Sequence, residues 1–408
     1  MERFGRKLLL NRLRRIRHGK LTLVDGHERH EFGDTSGYPL EATVTVHHPS
    51  FYADMVFGGT VGSGEAYMAG SWTVDDLTAV MRIIIRNEDV LEAVDSTVTR
   101  GATAVAHRLF HVLRKNTKRG SRLNIAAHYD LGNDFYSLFL DDTLTYSCGI
   151  FEREDSTLRE ASIAKYDRLC RKLRLCPSDH VLEIGTGWGG FAVHAASTYG
   201  CRITTTTISR EQHALAQQRV QQAGLGDRVE LLLEDYRDLR GQYDKLVSIE
   251  MIEAVGHHYL ETFFRCCSEL LEPDGMMGLQ AITINDQIHR RATREVDFIK
   301  RYIFPGSCLP AVEPMMRCIA RATDLRLWHL EDITPHYART LREWRERFFT
   351  QLDAVRALGF GDTFVRMWEF YFCYCEAGFS ERHIGDVQMI LTKPQCRCAP
   401  ILPTLEER

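Results

Sequence analysis

The sequence predicts an α/β protein: an open, mostly parallel sheet covered by helices, preceded by a smaller α+β domain. Three observations carry this expectation. From about residue 180, short apolar runs alternate with longer helical stretches, the pattern of parallel strands joined by helical crossovers. One such run, His180 to Ile184, turns through Gly185, Gly187, Gly189 and Gly190 into a helix. The first 115 residues instead mix short strands with helices, and a basic junction separates them from the rest.

The elements follow in order. Leu21–Val24 and Ala42–Val46 read as strands and Val80–Arg86 as helix, with Gly58, Gly59, Gly62 and Gly64 punctuating the middle. The polar segment 116–122, within the cluster Arg114, Lys115, Lys118, Arg119 and Arg122, reads as a linker between a domain over 1–115 and one over 123–408. Seven strands are then expected: His180–Ile184, Cys201–Ile208, Val229–Leu233, Lys245–Ile249, Met276–Ile284, Leu325–Leu330 and Val387–Thr392. Their near-continuous apolar character fits strands covered on both faces. Ser209 caps a helix after the second strand.

Composition narrows the class. The chain has 408 residues, 44% hydrophobic and 26% charged, as expected of a globular protein with more than one domain. No stretch approaches the roughly 18 apolar residues of a membrane span, and the short run Leu8–Leu10, followed by basic residues, is not expected to act as a signal peptide. Twelve scattered cysteines suggest free thiols in a reducing cytoplasm. Cys373/Cys375 and Cys396/Cys398 lack zinc-site spacing, so no metal is expected. Net charge is only −4, yet residues 1–20 hold eight Lys/Arg against one Glu. With Leu9, Leu10, Leu13 and Ile16 interleaved, that start suits an anionic membrane surface, an ordinary solvated helix face being the alternative. Nucleic acid is not expected, because no reading motif is present.

Glycines let the backbone approach a ligand closely, and in open α/β sheets ligands bind at the carboxyl ends of strands. The spacing Glu183-x-Gly185-x-Gly187-x-Gly189 is not a full dinucleotide fingerprint. It points to a nucleoside ligand without a pyrophosphate, S-adenosylmethionine first. The usual ribose-binding acid after the second strand is absent; Thr207, Ile208, Ser209 and Gln212 stand there instead.

Longer segments carry a resemblance. They are Ala127 to Tyr136, Leu144 to Phe151, Leu182 to Gly190, Thr207 to Gln212, Asp235 to Asp238, Ser248 to Gly256 and Tyr302 to Pro310, with Gly64 to Trp72 upstream. Through them the chain resembles the cyclopropane-fatty-acid synthase family. The resemblance implies a seven-stranded, Rossmann-like class I methyltransferase fold with helical insertions. It implies methyl transfer from S-adenosylmethionine to the cis double bond of an unsaturated phospholipid acyl chain, then loss of a proton to close a cyclopropane ring. A bound bicarbonate ion is the implied base, held by Cys148, Glu253, the Ile282 backbone, Tyr337 and a residue that is histidine in many members but Gln280 here. Glutamine donates a hydrogen bond but carries no charge. If the proton leaves an adjacent chain carbon instead, the product is a methylene branch.

For the cofactor, the resemblance places Tyr146 and Ser147 at the methionine end, Gly185 and Gly187 in the turn, and Thr207, Ile208 and Gln212 near the ribose and adenine. Asp235 and Tyr236 fall at the adenine edge, Glu183 supports the turn or the sulfonium, and His128 and Tyr129 belong to a lid. A cationic intermediate must be kept dry and is stabilised by aromatic faces. The aromatics from Trp344 to Phe379 are therefore expected either as core or as the lining of an acyl tunnel. The family also implies a homodimer, peripheral to the inner face of the membrane. A non-catalytic lipid-binding homologue and a small-molecule methyltransferase are the competing readings.

Overall fold

The computed structural model describes residues 2–89, 116–118, 120–121, 124 and 131–401. His128 and Tyr129 of the expected lid, and Arg114, Lys115, Arg119 and Arg122 of the basic cluster, lie outside the described residues. The chain forms two compact units. One joins Met1–Arg114 with Arg294–Pro305 and Leu341–Ile384; the other joins Lys115–Thr293, Gly306–Thr340 and Gly385–Arg408. Each unit is thus discontinuous in sequence, where a single break near the linker was expected.

The first unit holds a four-stranded sheet: β1 (Gly19–Asp25), β2 (Glu28–Asp34), β3 (Glu41–Val46) and β4 (Trp72–Val74), in the order β2-β1-β3-β4. Leu21, Leu23, Val44 and Trp72 bury one face, and Ile83 from the helix Leu77–Arg86 is fully buried. That helix starts at Asp76, whose side chain accepts from the Ala79 amide at 2.8 Å, an N-cap. The glycines at 62 and 64 are helical rather than loop, inside Gly59–Met68. A Cβ on Gly64 would lie 2.3 Å from the Phe298 ring, so glycine permits close packing there.

One sequence expectation changes in this unit, and one is narrowed to the first of its two alternatives. The N-terminal helix Glu2–Leu13 spends Leu9 and Leu13 on the protein core, and Ile16 just beyond it is buried too, so these residues do not face lipid. The C-terminal aromatics belong here and pack ring on ring. Trp344, Phe348, Trp368 and Phe372 are all at most 1% exposed. Phe348 meets Phe372 at 5.8 Å, and Trp368 meets Phe372 at 5.5 Å.

The second unit is a seven-stranded sheet: β5 (His180–Ile184), β6 (Arg202–Thr206), β7 (Val229–Leu232), β8 (Tyr243–Ile249), β9 (Leu271–Ile284), β10 (Arg326–Asp332) and β11 (Ile384–Thr392). The order is β10-β11-β9-β8-β5-β6-β7. β7, β6, β5, β8 and β9 run parallel, and β10 is antiparallel to β11. Side chains alternate between two cores. Val181, Val247 and Met276 meet Leu169, Leu173 and Phe191, while Leu182, Leu246 and Met277 lie with Phe263, Phe264 and Met315. The strand order reverses between β5 and β8, so the topology places a ligand crevice outside their carboxyl ends.

Candidate functional site

The glycine turn follows β5. Gly185, Gly187 and Gly189 have φ of +104°, +52° and +85°, a region L side chains rarely adopt. The amides of Gly185 and Thr186 both donate to the Thr206 carbonyl, at 3.0 and 3.1 Å, which pins the turn to β6. A Cβ on Gly187 would meet nothing within 4 Å, so the backbone is open there to a ligand. Glu183 is held by β6. Its carboxylate accepts from Thr205 Oγ1 at 2.6 Å, and burial pushes its carboxyl up to about 8, so it braces the turn as a largely neutral group.

Beyond β6, Thr207 Oγ1 donates to Gln212 Oε1 at 3.0 Å, and Ser209 Oγ caps the following helix by accepting from the Gln212 amide at 3.3 Å. Ile208 lies between them, partly exposed. After β7, Asp235 is bonded through both oxygens to Arg237, at 2.6 Å each. Burial opposes that pairing, but Arg237 holds the carboxyl below its usual range. Tyr236 sits edge-on to Phe263 at 5.6 Å, with the Arg237 guanidinium 5.3 Å from its ring centre. The Tyr146 ring packs against Tyr136 at 5.4 Å and Phe139 at 6.1 Å.

A second cluster forms outside β8. β8 and β9 pair with Ile249 opposite Gln280, so Glu250, the next residue, emerges beside Gln280. Glu250 has φ of +48°, which costs a non-glycine residue about 1–2 kcal/mol. Its Oε1 accepts from the Cys148 amide at 2.8 Å and from Gln280 Nε2 at 2.7 Å; its Oε2 accepts from the Tyr337 hydroxyl at 2.6 Å. Cys148 therefore contributes its backbone. Its thiol donates to the Gly149 carbonyl, and burial pushes it well up.

The orientation of Gln280 is imposed by a directional chain. Lys172, which can only donate, gives a hydrogen bond to Gln388 Oε1 at 2.8 Å. Gln388 Nε2 then donates to Gln280 Oε1 at 3.0 Å, which leaves the Gln280 amide nitrogen facing Glu250. Glu253 stands on the short turn Ile252–Ala254 and accepts from the Ile282 amide at 2.6 Å. Burial, aided by the charge of Glu250, pushes its carboxyl up to about 8, and its Oε2 has no hydrogen-bond partner among the described residues.

Three further groups complete the cluster, and the sequence reading missed all of them together with the role of Glu250. Asp386 lies 3.3 Å from Gln280 Nε2, its carboxyl raised well above the usual range by burial and by Glu250. Lys165 is fully buried, donates to Ser147 Oγ at 2.6 Å, and is pushed down to about 8 by desolvation despite the surrounding carboxylates. Thr340 Oγ1 accepts from the Gly149 amide at 3.1 Å. A signal existed. Lys165 falls on the apolar stripe Leu158, Ala161, Tyr166, Leu169 and Leu173, and Asp386 and Gln388 interrupt an otherwise apolar strand.

The bicarbonate expectation does not fit this arrangement. The Cys148 amide, Gln280 and Tyr337 point at the Glu250 carboxylate, and the Ile282 amide points at Glu253. A second anion would meet a carboxylate with these donors already engaged.

The profile of the mycolic acid cyclopropane synthetase family matches residues 116–389, two thirds of the chain. The tuberculostearic acid methyltransferase UfaA1 of Mycobacterium tuberculosis is 40% identical over 365 residues, covering 87% of this chain and 84% of that protein. The cyclopropane-fatty-acyl-phospholipid synthase of Escherichia coli is 34% identical over 357 residues, covering 86% and 88%. Among solved structures, mycolic acid cyclopropane synthase CmaA1 complexed with SAH and CTAB superposes with a TM-score of 0.62 at 34% identity, covering 67% of this chain and 98% of that one.

Proposed function

From the premise that this chain belongs to the mycolic acid cyclopropane synthetase family and is an S-adenosylmethionine-dependent methyltransferase, we propose that it methylates the cis double bond of an unsaturated phospholipid acyl chain. The carrying observation is the pair of features at the sheet's switch point: an open glycine turn after β5 beside a carboxylate-centred cluster after β8. Gly185 and Gly187 let the donor lie against the backbone. Thr207, Ile208 and Gln212 line the side of its ribose, Asp235 and Tyr236 the adenine edge, and Tyr146 and Ser147 the methionine end. The alkene takes the methyl group and the acyl chain becomes a carbocation. Loss of a methyl proton closes a cyclopropane ring.

A second reading, a methylene- or methyl-branched product, is favoured by two observations. Gln280 stands where the family resemblance leads one to expect histidine, and the 40% identical relative is named a tuberculostearic acid methyltransferase rather than a cyclopropane synthase. Both readings share the first step and differ in which C–H faces the base.

Access to lipid is proposed at the start of the chain, acting from the cytoplasmic face. Phe4 is 65% exposed, Phe57 is 37% exposed, and their rings stack 6.5 Å apart amid exposed Arg3 and Lys7. This pairs apolar insertion with attraction to anionic headgroups. No described helix is long and apolar enough to cross a membrane. A homodimer remains part of the proposal through the family.

The test is incubation with labelled S-adenosylmethionine and monounsaturated phospholipid vesicles, followed by mass spectrometry and gas chromatography of the released acyl chains. Gain of one CH₂ unit is expected, and chromatography separates ring from branch. No gain of mass, with cofactor binding intact, overturns the proposal.

A further inference from the structure

We propose that the proton-accepting anion of this site is built into the chain: the Glu250 carboxylate takes the seat that the family resemblance assigned to bicarbonate. The inference rests on the methyl-transfer reading above and follows from four observations.

The first is the donor set. A backbone amide, a carboxamide and a phenol converge on the two Glu250 oxygens at 2.6–2.8 Å, so the site aims three donors at this one carboxylate. The second is the backbone. Glu250 occupies a left-handed conformation suited to glycine, and such strain in a non-glycine residue is a mark of functional positions. The third is exposure. Glu250 is only partly buried, while Cys148, Gln280 and Asp386 around it are fully buried. The fourth is Gln280. A neutral amide, oriented by Gln388 and Lys172, supports a carboxylate already covalently in place.

The step balances without any other reagent. A C–H bond of the carbocation breaks, and its electron pair forms either the ring C–C bond or a C=C bond. The proton goes to a Glu250 oxygen, and the resulting carboxylic acid returns it to solvent after product leaves. The surrounding charged and titratable groups are Glu253, Asp386, Lys165, Cys148 and Tyr337.

The experiment compares the full-length wild type with Glu250→Gly and Glu250→Gln. Wild-type methyl transfer to vesicles is expected to be equal in carbon-dioxide-free buffer and in added bicarbonate. Glu250→Gly suits the backbone and should fold, which circular dichroism checks. It should lose on the order of 100-fold or more in rate, the usual contribution of a positioned base. Formate or bicarbonate should restore part of that rate. Glu250→Gln fills the seat with an amide and should be slow and not rescued. A readout independent of turnover is formate binding followed by ¹³C NMR, expected for Glu250→Gly and not for the wild type. A wild type that needs bicarbonate, a Glu250→Gly variant at full rate, or equal formate binding by both proteins overturns the inference. A wild type inactive on every vesicle tested, with that binding difference intact, instead overturns the methyl-transfer reading alone.

Discussion

Replacing Lys165 with methionine should make the protein more stable near neutral pH while slowing it. Lys165 is fully buried, and desolvation lowers its ammonium from 10.5 to about 8. At about 1.36 kcal/mol per pKa unit, holding the charged form in the fold costs roughly 3 kcal/mol near pH 7. The sign follows from proton linkage. The unfolded chain binds the proton more tightly, so the penalty is full below about pH 8 and fades as pH rises toward 10.5. Near pH 9.5 about 1.4 kcal/mol of it remains. Methionine keeps the apolar stem but loses the bond to Ser147 Oγ at 2.6 Å, worth roughly 1 kcal/mol net. The expected balance is a gain of about 2 kcal/mol near neutrality, or roughly 2–4 °C in Tm for a chain of this length, shrinking to near zero about pH 9.5. Turnover should fall, because Glu250 and Asp386 lose the cation that faces them. Thermal unfolding at the two pH values, beside the vesicle assay, tests this. A variant less stable than wild type near pH 7, or a stability difference that does not change with pH, refutes the assignment of Lys165 as a destabilising functional charge.

Glu253→Gln gives a complementary signature. The carboxyl of Glu253 is raised from 4.5 to about 8, so the stability it contributes is full below 4.5 and lost as pH rises through 8. The variant should match wild type near pH 4.5 and become more stable by a few kcal/mol by about pH 8.5; parallel unfolding curves across that range count against a buried, neutral Glu253. Phe4→Ser should reduce cosedimentation with anionic phospholipid vesicles while leaving binding of S-adenosylhomocysteine intact, measured by calorimetry. Undiminished cosedimentation removes the Phe4/Phe57 pair from the lipid-facing surface.

Much of the sheet was legible because its signals are local. Each expected strand of the second unit appears within a few residues of its observed bounds, from β5 at His180–Ile184 to β11 at Ile384–Thr392. Period, glycine spacing and caps act over a few residues, so a linear reading finds them. β2 was not anticipated, for its sequence Glu28–Asp34 carries only Phe32 as a buried residue. The linear domain boundary failed for a different reason. Helices far apart in the chain, such as Leu77–Arg86 and Asp362–Ser380, share one core, and apolar burial does not follow sequence order.

The linear sequence was enough to locate the glycine turn after an apolar strand, with Thr207, Ser209 and Gln212 at the next helix start. These depend on backbone conformation and on neighbours within five residues. The carboxylate-centred cluster, by contrast, exists only in the folded chain. Cys148, Lys165, Glu250, Gln280, Tyr337 and Asp386 come from six separate elements or loops, and the shifts of Lys165, Cys148 and Asp386 arise from burial and from their neighbours in it. Desolvation is the cause: burial makes the protonation of Lys165 and Asp386 depend on their distances to charged neighbours, and those distances exist only once β5, β8, β9 and β11 lie side by side.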